Sequence, residues 1–196
     1  IAIGRWRAGA AAFAAMLGAG VTTQLLKPAL AVQRDFPAWQ YMGPEAYPSG
    51  HATAVMSFAL ALAIVAPPRL RPLAAAAGAL LTVGTVYSIL IVGGHYPSDV
   101  IGGLLVATAW ACLAVVPLRP ETRPSLRSLL GGPAIAGAVL AAALAAAFTL
   151  RPAGVLAHAA ENTTFVAGAA AIAAAALVLS GSVPAPREAP RRRPPR

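Results

Sequence analysis

The chain has 196 residues, of which 58% are hydrophobic and only 11% charged, with a mean hydropathy of +0.70. A soluble domain carries about 25% charged residues, so there is too little polar side chain here to cover a globule in water, and a polytopic membrane protein is the class that remains. The formal charge of +9 and the pI near 11.3 do not indicate a nucleic-acid partner, because the arginines fall in loops and a tail rather than along one folded face.

One cysteine, Cys112, lies within an apolar run. It excludes an intrachain disulfide and reads as a small core residue. The sequence opens at Ile1 with no methionine and no signal-peptide pattern, which is the expectation for the remainder of a longer or processed chain.

Six apolar segments are predicted as helices: 8–26, 51–66, 72–92, 98–117, 130–150 and 157–180. Those near 20 residues cover a hydrocarbon core of about 30 Å at about 1.5 Å rise per residue. The second, at about 16, needs its capping turn or a thin bilayer. Backbone groups in lipid must be satisfied within the segment, so helices are the structure these runs can adopt. The expected fold is all-α, a polytopic membrane helical bundle of about six transmembrane helices with both termini cytoplasmic. One domain covers 1–181, and a Pro- and Arg-rich tail over 182–196 is expected to be disordered. Alanine runs at 74–77, 141–147 and 169–176 favour close helix packing.

Arginine placement sets the orientation. An N-in arrangement puts Arg5, Arg7, Arg69, Arg71, Arg119, Arg123, Arg127 and the tail arginines on one side, twelve of the fifteen basic residues. Only Lys27, Arg34 and Arg151 lie opposite, so the rich side is expected to be cytoplasmic and the protein to sit in the cell membrane. Loops 27–50, 93–97 and 151–156 then face outward, with Trp39, Tyr41, Tyr47 and Tyr96 on the same side, where amphipathic aromatics belong.

Two outward stretches carry chemistry. At Pro48-Ser49-Gly50-His51 a polar loop meets an apolar run. Ser49 is a natural N-cap, Gly50 lets a ligand approach the backbone, and the free N–H groups of a helix start attract an anion. By itself this reads equally well as a capped helix with an interfacial histidine. In Gly93-Gly94-His95-Tyr96-Pro97-Ser98-Asp99 the glycines can end the third helix and Pro97 can begin the fourth. Lys27, Arg34, His51, His95 and Asp99 therefore gather two cations, two histidines and a carboxylate at one surface. That set fits phosphoryl transfer. Cations and a helix N-terminus hold phosphate oxygens, one histidine attacks while another protonates the leaving oxygen, and a carboxylate orients the attacking ring.

These residues resemble the membrane-bound type 2 phosphatidic acid phosphatase family, which shares its site with vanadium haloperoxidases. Lys27 to Arg34 keeps the spacing of the family's Lys-x6-Arg-Pro, residues 48–51 are its intact Pro-Ser-Gly-His, and Ser88, His95 and Asp99 stand in register with its Ser-Arg-x5-His-x3-Asp. The likeness covers about residues 20–115. It implies His95 as a nucleophile forming a phosphohistidine, Asp99 as its hydrogen-bond partner and His51 as general acid. It implies Lys27, Arg34, Ser49 and Gly50 as phosphate ligands, and no metal or other cofactor. Ser88 reads as structural.

The sequence departs from the family in three ways. Asp35 replaces the proline after Arg34, Ile89 replaces the arginine of the third motif, and the two helices that usually come before the one leading into the first motif are not seen here, while two extra helices over 130–181 follow. Arg151 is the only other outward cation available to stand in for the missing arginine. The leading expectation is an integral membrane phosphatase acting on a lipid phosphate or diphosphate at the outer face, in contact with membrane lipids. The alternative is a catalytically impaired homologue that binds or carries phospholipid headgroups. No ionisable residue deep in a span marks a transport path, and a haloperoxidase would be soluble.

Overall fold

The computed structural model describes residues 5–32, 43–118, 126–150 and 152–182. The segment carrying Arg34, Asp35, Trp39 and Tyr41 lies outside the described residues, as do Arg151 and the tail. The described chain is helical: α1 (Trp6–Ala29), α2 (Gly50–Val65), α3 (Arg71–Ile91), α4 (Pro97–Val115), α5 (Leu126–Leu150), α6 (Pro152–Glu161) and α7 (Thr163–Ser182), with a 3-10 turn over Val116–Leu118. Four stretches are long and apolar enough to cross a membrane: Trp6–Ala29, Arg71–Ile91, Pro97–Leu118 and Thr163–Gly181. Gly50–Val65 and Gly131–Ala146 are apolar but shorter.

The first five expected segments each became one helix, whereas the sixth divides. The chain turns at Asn162, separating α6 from α7. Asn, Thr163 and Thr164 favour caps and turns over helix interiors, and the Asn162 carbonyl accepts the Val166 N–H at 3.0 Å to start α7. At the other end of the chain, α1 runs past Lys27 and stops soon after Pro28, whose ring clashes with the preceding turn if a helix continues.

The core forms around α2, which packs against α1, α3 and α4. Met56, Leu60 and Ile64 recur at four-residue spacing on α2 and are buried against Val83 and Val86 of α3, Val100 and Leu104 of α4 and Ile172 of α7. From α1 the buried side chains are alanines (Ala8, Ala12, Ala15), so its backbone lies close to the core. The α5 and α7 helices pack on each other and on α3, and the Tyr87 hydroxyl ties α3 to α7 by donating to the Ala169 carbonyl at 2.9 Å. Phe13, Leu25, Leu81, Leu105 and Leu113 point outward. Such a surface is stable against hydrocarbon and not against water.

Arginines close one end of the bundle. Arg5 donates to the Val65 and Ala66 carbonyls at 3.0 and 2.7 Å. Arg71 donates to the Ala63 and Ala66 carbonyls at 3.3 and 3.5 Å. Arg7 reaches the Pro117 carbonyl beyond α4 at 3.3 Å. Carbonyls at a helix C-terminus lack intrahelical donors and carry the negative end of the dipole, so guanidinium groups are the natural caps. The double replacement Arg5→Ala with Arg71→Ala should therefore lower the stability of the detergent-solubilised protein by about 1–2 kcal/mol. Thermal unfolding would check this; an unchanged midpoint would mean that water satisfies these carbonyls equally well.

Candidate active site

Opposite the arginine end, the starts of α2 and α4 meet. Ser49 is the N-cap of α2: its extended backbone leads into the helix and its hydroxyl accepts the Ala52 N–H at 3.3 Å. Its carbonyl accepts the Thr53 N–H at 3.0 Å and the Thr53 hydroxyl at 2.9 Å. The Thr23 hydroxyl of α1 donates in turn to the Thr53 oxygen at 3.1 Å, so a buried line of hydroxyls fastens the cap from below. Among the described residues the N–H groups of Gly50 and His51, at the first two positions of α2, make no hydrogen bond. They are the donors that a helix start offers to an anion.

The start of α4 is fastened to that cap. The Ser49 N–H donates to the Asp99 carbonyl at 2.8 Å. This needs α4 to approach the loop closely, and Gly102 and Gly103 allow it. A β-carbon on Gly103 would stand 2.6 Å from the Ser49 carbonyl oxygen, and one on Gly102 would stand 2.6 Å from the Tyr47 ring. Small residues at a helix crossing serve this purpose. The Tyr47–Pro48 peptide bond is cis.

Asp99 sits in the first turn of α4 behind Pro97 and is fully buried. Its Oδ2 accepts the Tyr96 N–H at 3.0 Å and lies 3.4 Å from Nδ1 of His95. The Asp99 N–H is taken by the Tyr96 carbonyl at 3.0 Å, so the carboxylate and backbone of one residue hold both sides of the helix start. The His95 side chain is 12% exposed. With Nδ1 directed at a carboxylate, Nε2 is the nitrogen left for other chemistry. The turn before it is made by Gly93, whose φ of 74° lies in the left-handed region, and the Gly94 N–H donates to the Ile89 carbonyl at 3.0 Å.

Lys27 lies in the last turn of α1, and its Cε is 4.0 Å from where a β-carbon on Gly50 would be. Five of the candidate residues thus form one chain of neighbours, running Lys27, Gly50, Ser49, Asp99, His95. His51 follows Gly50 on α2 with its side chain exposed. Arg34 lies outside the described residues. Ser88 turns its hydroxyl back to the Gly84 carbonyl of its own helix at 2.9 Å, and Ile89 beside it is half-buried. Among the described residues no group of three or more His, Cys, Asp and Glu side chains is arranged to hold a metal ion.

Thr23 and Thr53 were not singled out from the sequence. The available signal was a hydroxyl four residues after Ser49 and another four before Lys27, each inside an apolar helix, where polar groups face the protein interior.

A family model described as the PAP2 superfamily matches residues 8–123. Phosphatidylglycerophosphatase B of Escherichia coli strain K12 is 33% identical over 96 residues, a match covering 46% of this chain and 37% of that protein. The proteins of the same name from Escherichia coli O157:H7 and Shigella flexneri match to the same extent. The matched region is therefore well under half the length of these curated relatives. No solved structure matches the chain significantly.

The crossing at Gly103 is open to direct test. Gly103→Ala places a methyl group against the Ser49 carbonyl, and overpacking of this kind costs about 1–3 kcal/mol. Its thermal midpoint should fall, whereas Gly84→Ala, which meets nothing within 4 Å, should leave the midpoint in place.

Proposed function

The chain belongs to the PAP2 superfamily, and from that premise we propose that it is an integral membrane phosphatase hydrolysing a lipid phosphate or diphosphate monoester through a phosphohistidine. The observation that carries this reading is the link from His95 through Asp99 to Ser49, which sets a carboxylate-held imidazole beside a helix start with unspent N–H donors. Phosphatidylglycerophosphatase B, the curated relative, is named for action on a phosphorylated lipid, and the helices long enough to cross a membrane suit such a substrate.

In the proposed chemistry the phosphate lies against the Gly50 and His51 N–H groups and the Lys27 ammonium, with Arg34 as a further ligand. The His95 Nε2 attacks phosphorus, forming a P–N bond as the P–O bond to the lipid breaks. His51 gives its proton to the departing alkoxide. Asp99 keeps the His95 Nδ1–H in place and stabilises the positive ring that results. Water, deprotonated by His51, then attacks phosphorus, the P–N bond breaks, and free phosphate leaves with His95 restored. Each step is written with groups of this chain and water, without calling on a metal.

Six spans with both termini cytoplasmic remain part of the proposal. The arginine-rich loops support it, since Arg5 and Arg71 at the end of α2, and Arg7 beyond the end of α4, lie at the end of the bundle away from Ser49. This orientation puts the site on the extracytoplasmic face of the cell membrane, level with lipid headgroups. A second reading, a headgroup binder with little turnover, is favoured by Ile89 at the position of the family arginine.

Phosphate release from detergent-dispersed diacylglycerol phosphate separates the two. On the phosphatase reading His95→Ala falls to background, Asp99→Asn loses about 10²–10⁴ in kcat, and excess chelator changes nothing. Binding without release by the wild-type protein would support the binder instead. Ile89→Arg should raise kcat about tenfold or more, since an arginine acting on a phosphoryl transition state has effects of that order and larger.

A further inference from the structure

A groove of about 220 Å³ runs down the outside of the bundle between α1 and α2, and it begins at the proposed phosphate position. Its top is Gly50, next to the Lys27 side chain. Its floor is made by the buried hydroxyl residues Thr23, Thr53 and Ser57, its mouth by exposed Gly20 and Ala54, and its lower end by Met16. The volume is far more than one water needs, and the small residues at the mouth leave it open toward the lipid.

A groove on the hydrocarbon-facing side of a membrane protein is expected to be apolar. This one is mostly apolar at its surface, but three hydroxyl residues and Gln24 also line it. The hydroxyl protons are already used: Thr23 donates to Thr53, Thr53 to the Ser49 carbonyl and Ser57 to the Ala54 carbonyl. Gln24 makes no hydrogen bond among the described residues, and it is exposed. Its amide supplies two unspent N–H donors. It stands one helical turn before Lys27, hence about 4.5 Å further from the headgroup end of the helix.

Resting on the phosphatase reading above, we propose that this groove selects the lipid by its linkage, with Gln24 donating to ester carbonyls of a diacylglycerol phosphate. In such a lipid the acyl carbonyls follow the phosphate after a three-carbon glycerol, and they are acceptors without donors of their own. Gln24 is the matching donor at the matching depth. An isoprenyl phosphate has only hydrocarbon at that depth and leaves the amide unpaired, and a dialkyl ether lipid has the right shape but no carbonyl. Discrimination follows because a lipid-facing donor gains a hydrogen bond from the diacyl substrate and none from the other two.

The test is phosphate release from three substrates of matched chain length: diacylglycerol phosphate, its dialkyl ether counterpart and an isoprenyl monophosphate. Wild-type protein should favour the diacyl over the ether substrate by about fivefold to tenfold in kcat/KM. Gln24→Leu, a change at an exposed position, should erase that preference by lowering the diacyl value to the ether value. Equal use of diacyl and ether lipids by the wild-type protein overturns the proposal, as does a preference that survives in Gln24→Leu or a preference for the isoprenyl substrate; in each of these cases the phosphatase reading stands. No hydrolysis of any of the three, nor of the corresponding diphosphates, overturns that reading, and this inference with it.

Discussion

The hydrogen bond from the Ser49 N–H to the Asp99 carbonyl, 2.8 Å long, is the constraint on which the site depends. It joins two helix starts almost fifty residues apart in sequence, and it exists only because α4 offers glycine where the loop crosses it. A side chain on Gly103 would meet the Ser49 carbonyl, which itself is shared between the Thr53 N–H and the Thr53 hydroxyl. The crossing therefore fixes cap, helix and carboxylate in one arrangement. Interiors packed at this density do not deform continuously, so the position of Asp99 relative to the start of α2 is a property of the helix packing, and His95, in the loop just before α4, is held to it through that carboxylate.

The same packing sorts charge along the bundle. The α2 and α4 helices both begin at the site, and each start contributes roughly half a positive charge. The α1 and α3 helices end there, with the opposite sign, and Lys27 stands in the last turn of α1. At the far end α2 presents its carbonyls to Arg5 and Arg71. A positive-inside orientation and a C-terminal cap thus call for arginines in the same place, which explains how a helix of only 16 residues can be held at both ends by polar groups while its second half, from Phe58 to Val65, is entirely apolar.

Local chemistry was legible in the sequence and long-range partnership was not. Ser49 as a cap, Gly93 as a helix end and Pro97 as a helix start each follow from the conformational preference of one residue, and the structure has all three. The break at Asn162 was hidden because alanine-rich sequence on both sides reads as one apolar run, and a single Asn-Thr-Thr cluster weighs little in a hydropathy window. The pairing of Ser49 with Asp99, the Thr23 to Thr53 to Ser49 line and the arginine caps on α2 were invisible for another reason. Each joins helices that only the tertiary packing brings together, and one sequence carries no record of which polar residue in one span faces which in another. Loop placement gathered the candidate site residues and the family resemblance supplied their roles, but neither supplied the glycines that let them meet.

Ile89 shows what such an arrangement can and cannot replace. It is half-buried, beside the turn that leads to His95, and its carbonyl already holds the Gly94 N–H. The starts of α2 and α4 together carry about one unit of positive charge, but the ends of α1 and α3 at the same place offset it, so helix ends do not stand in for the charge of a guanidinium. Geometry differs as well. Backbone N–H groups point along their helix axes at a fixed phosphate position, whereas an arginine fork grips two oxygens at once and can follow them as phosphorus inverts. Under the proposed chemistry, charge supplied by helix ends acts on bound substrate and transition state nearly alike, and uniform binding of that kind lowers KM without raising kcat. On that reading, isoleucine at this position suits holding a phosphorylated headgroup better than turning it over quickly, and the rate rests on how firmly Asp99 holds His95.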